Sequence, residues 1–380
     1  MRIRAAVFYA PGQDLTVEEV ELDPPQHGEV LVKMVATGVC HSDVHYFTGD
    51  AILPSGRPTI LGHEGAGIVE AVGPGVATVA PGDHVILSFL PACGRCKWCH
   101  IGEPTLCDSG ALLMNGKMLD GTSRHHRARD GEALDNFLFV SSFGEYTVTT
   151  EASLVKVPDH LPLERVCLLG CGFTTGFGAI TNAAHIRPGE TVTIVGCGGL
   201  GLSAVQGARA SEAGTIIAVD LHEEKLAMAK RFGATHTVLN RHDVKAVIEE
   251  IKQITWGEGT DYSFEFVGTE ASQETQAIAF KAARKMGTVF LVGAGVQKLK
   301  KKTLPISSDE LILYRKKVQG VLYGDSKFKV DIPRYVGLYE RGQIDLDGLV
   351  TQEFTLDDIN TCFANILAGN KVARQVIRFA

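Results

Sequence analysis

The sequence lacks any uninterrupted apolar run near the roughly 18 residues that a bilayer span requires. It also lacks a surplus of cations: 37 Lys and Arg stand against 44 Asp and Glu, a formal net charge of −7. Tracking a phosphate backbone or an anionic membrane needs the opposite balance, so nucleic-acid and membrane partners are not expected. The opening residues MRIRAAVFYAP carry neither the apolar core nor the cleavage site of a secretion signal, which points to the cytoplasm. What is present is 380 residues, 45% hydrophobic and 21% charged. That is a globular composition too long for one core, and two domains are expected.

Nine cysteines without an export signal suit metal ligation or core packing better than disulfides, since the cytosol keeps thiols reduced. Cys93, Cys96, Cys99 and Cys107 are grouped, whereas Cys40, Cys167, Cys171, Cys197 and Cys362 are scattered. Up to about residue 170 the chain carries short alternating or β-branched runs bounded by Pro, Gly and Asp, such as RIRAAVFY, LTVEEVEL and EVLVKMVA. These read as strands of a barrel or sandwich. From about residue 188 the rhythm becomes strand, helix, strand, with six candidate strands from Thr191–Val195 to Val318–Leu322. Alternation of that kind predicts a parallel, doubly wound sheet. Two charged stretches, SRHHRARDGE at 123–132 and the run Lys298, Lys300, Lys301 and Lys302, read as solvated loops.

The segment ETVTIVGCGGLG ends a β-branched strand with Gly196, Gly198 and Gly201 in G-x-G-x-x-G spacing, and apolar residues then continue at helical intervals. Here Gly196 allows the tight turn, Gly198 lets backbone amides approach a pyrophosphate, and Gly201 lets the helix pack closely on the strand. The helix N-terminus adds partial positive charge at the phosphates. Asp220 ends the next strand at the place of the carboxylate that takes the ribose hydroxyls; it would repel a 2′-phosphate, so NAD is expected rather than NADP.

CGRCKWCHIGEPTLC places four soft donors at Cys93, Cys96, Cys99 and Cys107. A closed four-sulfur shell suits a structural zinc, with no open position for substrate. The gap before Cys107 and the Asp108 that follows it do not match the bacterial ferredoxin run.

Three further segments, GVCHSDVHYFTGD, LGHEGAG and LLGCGFTTGFG, followed by the glycine turn, resemble the zinc-dependent medium-chain alcohol dehydrogenases along essentially the whole chain. The resemblance implies a β-rich GroES-like catalytic domain over 1–172 and 323–380, with a structural zinc lobe at 93–107, and a Rossmann NAD-binding domain over 173–322. It also implies two zinc ions per chain, the catalytic one held by Cys40, His63 and Cys171. In the same pattern Asp43 orients His63, Glu64 lies behind the metal, Ser42 takes the alcohol proton and His45 passes it to solvent. Cofactor contacts fall at His41, Thr175, Gly196, Gly198, Gly199, Leu200, Gly201, Asp220, Lys225, Val267, Val292, Ala294, Tyr323 and Arg374. His41 stands where the family often has an arginine, a departure that makes the pyrophosphate contact sensitive to pH.

The segment from 108 to 142 is similar to the longer, typically dimeric branch, in which Phe89, Phe137, Leu138 and Leu322 line the alcohol pocket. An apolar, aromatic-flanked pocket suits primary aliphatic or aromatic alcohols. The implied activity is NAD-linked, reversible oxidation of such alcohols to aldehydes. Two alternatives use the same residues: oxidation of a thiol adduct of formaldehyde, which Ala111 disfavours where those enzymes carry arginine, and a nicotinoprotein in which NAD stays bound. A redox-silent NAD-binding protein would have no need of the catalytic ligand set.

Overall fold

The period-two runs near the start of the chain form strands in the computed structural model, which describes residues 1–269, 271–293, 303–304, 306–369 and 373–380. Ten strands come first: β1 (Arg2–Phe8), β2 (Thr16–Leu22), β3 (Glu29–Val39), β4 (Thr59–Ile60), β5 (Gly65–Val72), β6 (His84–Leu87), β7 (His125–Arg127), β8 (Ala133–Asn136), β9 (Tyr146–Thr150) and β10 (Leu154–Val157). Six more follow: β11 (Thr191–Val195), β12 (Thr215–Asp220), β13 (His236–Leu239), β14 (Thr260–Glu265), β15 (Ala283–Leu291) and β16 (Lys317–Gly320). The chain closes with β17 (Val350–Phe354) and β18 (Arg374–Arg378). It divides into two units, Met1–Gly172 with Lys327–Ala380, and Phe173–Ser326. Ala294 and the run Lys298, Lys300, Lys301 and Lys302 lie outside the described residues.

In the first unit β1-β2-β7-β8-β4 close a barrel, and β10-β6-β5-β3-β18-β17 form a second sheet with β9 also paired to β3. The long strand β3 is apolar on both faces for a reason visible in its contacts. Val30, Val32 and Met34 pack with Val69, Val85, Leu87 and Leu154, while Leu31 and Val39 join the core of Val7, Leu134, Phe143 and Ile377. The alternation of a half-exposed strand would not satisfy both layers.

The second unit is a parallel sheet in the order β13-β12-β11-β14-β15-β16. Strand order reverses between β11 and β14, and in open sheets of this type ligands bind at the carboxyl ends beside that reversal. Val195, Val219 and Val238 bury one face against Val247, Ile251 and Ile278 of the helices Val244–Ile254 and Ser272–Ala282. Val247 and Ile251, four apart, share one side of their helix. Among the described residues no single helix is long and apolar enough to cross a membrane.

The expectation that SRHHRARDGE is solvated is corrected: Arg124 and His125 are buried, and His125 opens β7. Arg124 grips Glu29 in bidentate fashion, Nε to Oε2 at 2.7 Å and Nη2 to Oε1 at 2.8 Å, and also reaches Asp120. Paired cations of this kind can be buried where a bare charge run cannot. Burial holds His125 down to about 4 from its usual 6.5. The unfolded chain therefore takes up a proton on this imidazole as pH falls through 6.5, while the folded chain resists until about 4. Stability is expected to decline across that window, with a full contribution of about 3 kcal/mol. His125→Leu should flatten the decline when urea unfolding is compared at neutral and mildly acidic pH; an unchanged pH slope would contradict it.

Candidate functional site

Cys40 leaves β3 in extended conformation (φ −104, ψ 150) and caps the helix His41–Thr48. Three residues on, Asp43 accepts the Cys40 backbone N–H at 3.2 Å and closes a capping box, which is why CHSD starts a helix here. The other oxygen of the same carboxylate accepts the Gly62 N–H at 3.1 Å and faces Nδ1 of His63 at 3.0 Å. Asp43 is 0% and His63 2% exposed. With Nδ1 engaged, Nε2 is the ring nitrogen left for a ligand. Cys171 stands at the break between the segment Cys167–Gly170 and the helix Gly172–Gly178, with φ −147 and ψ −78. The ligand atoms of Cys40, His63 and Cys171 all lie within 4.8 Å of one another, and all three residues are buried.

Their electrostatics favour a cation. A hydrogen bond from Cys171 leads the forces that hold the Cys40 thiol well below its usual range, aided by His63 against the cost of burial. Burial would lower His63, but Asp43 and Cys40 overcome it and raise the imidazole to about 10. Two sulfurs and an imidazole in this arrangement are the donor set that zinc accepts with one position left open. By contrast Cys167 is a buried thiol pushed up to about 12, whose Sγ donates to the Glu164 carbonyl oxygen at 3.7 Å. Burial likewise raises Cys197 and Cys362.

Glu64 is fully buried behind this trio; its Oε1 accepts the Gly172 N–H at 2.5 Å and its Oε2 pairs with Arg374 of β18. Arg374, which the resemblance casts as a pyrophosphate contact, thus makes an ion pair inside the first unit. Ser42 Oγ lies 3.6 Å from Cys40 Sγ. On the same helix the His41 and His45 rings are 4.8 Å apart, and His45 Nδ1 is 4.0 Å from Asp50. Phe89 and Phe137 each meet the His63 ring edge-on at 5.8 Å between centroids. Leu138 follows in left-handed backbone (φ 54), while Leu322 belongs to the other unit and is 46% exposed.

The second cluster is the cysteine lobe, where Cys93, Cys96, Cys99 and Cys107 bring their sulfurs within 4.8 Å of one another. Cys96 caps the short helix Lys97–His100, and the Cys99 N–H, ahead of other donors, lowers its thiol to about 6. Burial and the neighbouring thiols raise Cys99 to about 12. Four such sulfurs cannot all ionise together without a cation between them, so the set fits a tetrahedral zinc.

In the second unit Gly196 turns with φ +93 and the helix Gly199–Ala210 starts at Gly198. A Cβ on Gly201 would overlap the Gly196 carbonyl oxygen, and one on Gly198 would meet nothing within 4 Å, leaving open space above the turn. Asp220 accepts the Cys197 N–H at 2.7 Å and the His222 N–H at 3.0 Å, which fixes its carboxylate beside the turn. Leu200 lies in that helix, Lys225 is half-buried on the helix Glu223–Phe232, Val267 abuts Gly196, and Thr175 and Tyr323 are buried. The turn and its acidic neighbour fit a dinucleotide.

One residue escaped the sequence reading. Glu265 ends β14 at 0% exposure, and burial pushes its carboxyl up to about 7 although Thr275 and the Val267 N–H oppose the shift. The signal was a carboxylate between two phenylalanines, Phe264 and Phe266, at the end of a candidate parallel strand in DYSFEFVG.

Two family models match: the alcohol dehydrogenase GroES-like domain over residues 26–159 and the zinc-binding dehydrogenase over 199–338. The NDMA-dependent alcohol dehydrogenase of Amycolatopsis methanolica is 39% identical over 381 residues, covering 100% of both chains. The S-(hydroxymethyl)glutathione dehydrogenase of Escherichia coli is also 39% identical over 381 residues with the same coverage. Among solved structures, benzyl alcohol dehydrogenase from Acinetobacter calcoaceticus superposes with a TM-score of 0.91 at 34% identity, covering 100% of each chain. With likeness running from end to end of the sequence and of the fold, the chain belongs to the zinc-dependent medium-chain alcohol dehydrogenases.

Proposed function

We propose that this dehydrogenase oxidises primary alcohols, aliphatic or aromatic, to aldehydes and runs the reaction in reverse, with NAD and two zinc ions per chain. The observation that carries the reading is the convergence of Cys40, His63 and Cys171, with Asp43 fixing the imidazole and two phenyl rings against it. Cys93, Cys96, Cys99 and Cys107 would hold the second, structural ion. A zinc ion at the first site would supply Lewis acidity that brings an alcohol hydroxyl toward ionisation near neutral pH. NAD would supply the hydride acceptor.

The chain's own groups then have distinct tasks. Asp43 Oδ1 holds the proton on His63 Nδ1 and keeps the ring in one orientation. Ser42 Oγ accepts the proton from the alcohol hydroxyl, and His45 relays it outward with Asp50 beside its ring. Phe89 and Phe137, with Leu138, provide apolar surface for the carbon chain. Asp220 takes the ribose hydroxyls, the Gly196–Gly201 turn receives the pyrophosphate, and Thr175, Val292 and Tyr323 serve the nicotinamide end.

A second reading, retention of NAD through the catalytic cycle with an external acceptor, is favoured by the full-length likeness to the NDMA-dependent enzyme. A thiol adduct of formaldehyde as substrate draws on the equal likeness to the S-(hydroxymethyl)glutathione dehydrogenase, against Ala111. The acidic net charge supports a protein without nucleic-acid partners. We take it as a cytoplasmic homo-oligomer, a dimer on the strength of its resemblance to the longer-chain branch.

Purified protein should contain two zinc ions per chain, and His63→Ala should contain one. Turnover of benzyl alcohol should then fall by about 10³-fold or more, while NADH binding changes little. Undiminished turnover in a His63→Ala protein holding one zinc would refute the catalytic site. Asp43→Asn is expected to weaken zinc at that site by about 10- to 100-fold, read by chelator competition. Removing the charge at Asp220 with Asp220→Asn should shift the NADPH-to-NADH affinity ratio by about tenfold toward NADPH, about 1.4 kcal/mol. Nucleotide released on denaturing the purified enzyme separates exchangeable from retained NAD.

A further inference from the structure

Glu265 is absent from the residue pattern by which the family is recognised above, yet it joins three segments at the carboxyl edge of the parallel sheet. Its side-chain Oε1 accepts the Val267 N–H at 2.8 Å and the Thr275 hydroxyl at 2.7 Å. Its main-chain carbonyl oxygen accepts the N–H groups of Val292 and Gly293, both at 3.0 Å. Thr275 lies in the first turn of the helix Ser272–Ala282, so one residue ties the exit of β14, the exit of β15 and a helix.

These exits border the glycine turn. A Cβ on Gly196 would come within 2.7 Å of Val267 Cγ2, and one on Gly293 within 2.6 Å of the Val267 carbonyl oxygen. The backbone after β14 is thus wedged between the glycine turn on one side and the exit of β15 on the other. A shift of Val267 has to move one or both. Glu265 Oε2, meanwhile, is buried without a hydrogen-bond partner, so this carboxyl is maintained at a solvation cost that Oε1 alone offsets. An apolar residue would close the strand more cheaply, as Val195 does on β11 and Leu291 on β15.

We propose that Glu265 is a positioning residue for the dinucleotide: its Oε1 pins the Val267 loop against Gly196 and so presents the binding edge already ordered. The inference rests on the reading of the second unit as an NAD site. Pre-ordering of a binding loop appears in affinity, because a ligand that must order the loop itself binds more weakly.

The test uses the zinc-loaded full-length protein, freed of any copurified nucleotide, with NADH binding followed by fluorescence. Glu265→Leu, which removes the acceptor and strands the Val267 N–H, should raise the NADH dissociation constant by about tenfold or more. Glu265→Gln keeps an acceptor oxygen and should stay within about threefold of the parent. Thr275→Val, which leaves the carboxyl in place but removes one of its donors, provides a milder variant should Glu265→Leu fold poorly, and should weaken NADH by about threefold. In all three the KM for alcohol should hold steady while the KM for NAD follows the NADH constant. Glu265→Leu or Thr275→Val binding NADH as tightly as the parent overturns the proposal, as does Glu265→Gln binding as weakly as Glu265→Leu. A parallel rise in the KM for alcohol does so too, since it reports general loosening. A parent protein that binds no NADH refutes the NAD reading itself, which is a separate outcome.

Discussion

A single buried carboxylate, Asp43, holds Cys40 and His63 in relation to one another. Cys40 and His63 stand twenty-three residues apart in a strand-rich unit, and neither segment is regular at that point. Asp43 accepts the backbone N–H of Cys40, the backbone N–H of Gly62 and the proton at His63 Nδ1. It therefore sets the helix start, the turn before the histidine and the orientation of the ring together. At 0% exposure it is held by hydrogen bonds that water would otherwise supply, and a buried carboxylate is tolerable only on those terms. Glu64 acts similarly one layer back, joining the Gly172 amide beside the third ligand to the last strand through Arg374.

The second unit follows a different economy. Its site is made of backbone: a glycine turn, a helix start and the strand exits, with side chains mainly fixing where the backbone runs. Asp220 illustrates the point, since its two oxygens are already engaged by the Cys197 and His222 amides. Its carboxylate is positioned by the loop, and in turn the loop is shaped by the carboxylate. Sites built this way depend on close approach, and the overlap that a side chain at Gly201 would create explains why the fingerprint is written in glycine.

Much of this was legible in the sequence because the relevant signals are local. Period-two runs became the strands of the first unit, the six parallel strands occur in the expected sequence, and the glycine spacing lies between β11 and its helix. The cysteine lobe is contained within fifteen residues, and its sulfurs meet. What spacing alone could not supply was the meeting of Cys40, His63 and Cys171, which depends on non-local strand pairing and was available only through family resemblance. The charged segment around Arg124 was misread for a related reason: the partner that allows its burial, Glu29, is 95 residues away. Glu265 was passed over because an acid at the end of a mixed strand such as TDYSFE looks like an exposed edge until its neighbours are known.

The position of β18 has consequences for how the chain is made. Its five residues, Arg374–Arg378, pair with β3 on one side and the edge strand β17 on the other, and Arg374 meets Glu64 behind the cluster of Cys40, His63 and Cys171. The second unit is one continuous stretch and can complete itself while synthesis is under way. The first cannot: until β18 has been made, Ala36–Val39 of β3 lack their partner strand. Formation of the first unit is thereby tied to synthesis of Arg374–Arg378, and a chain broken off before them carries Cys40, His63 and Cys171 yet displays an unpaired strand edge to chaperones and proteases.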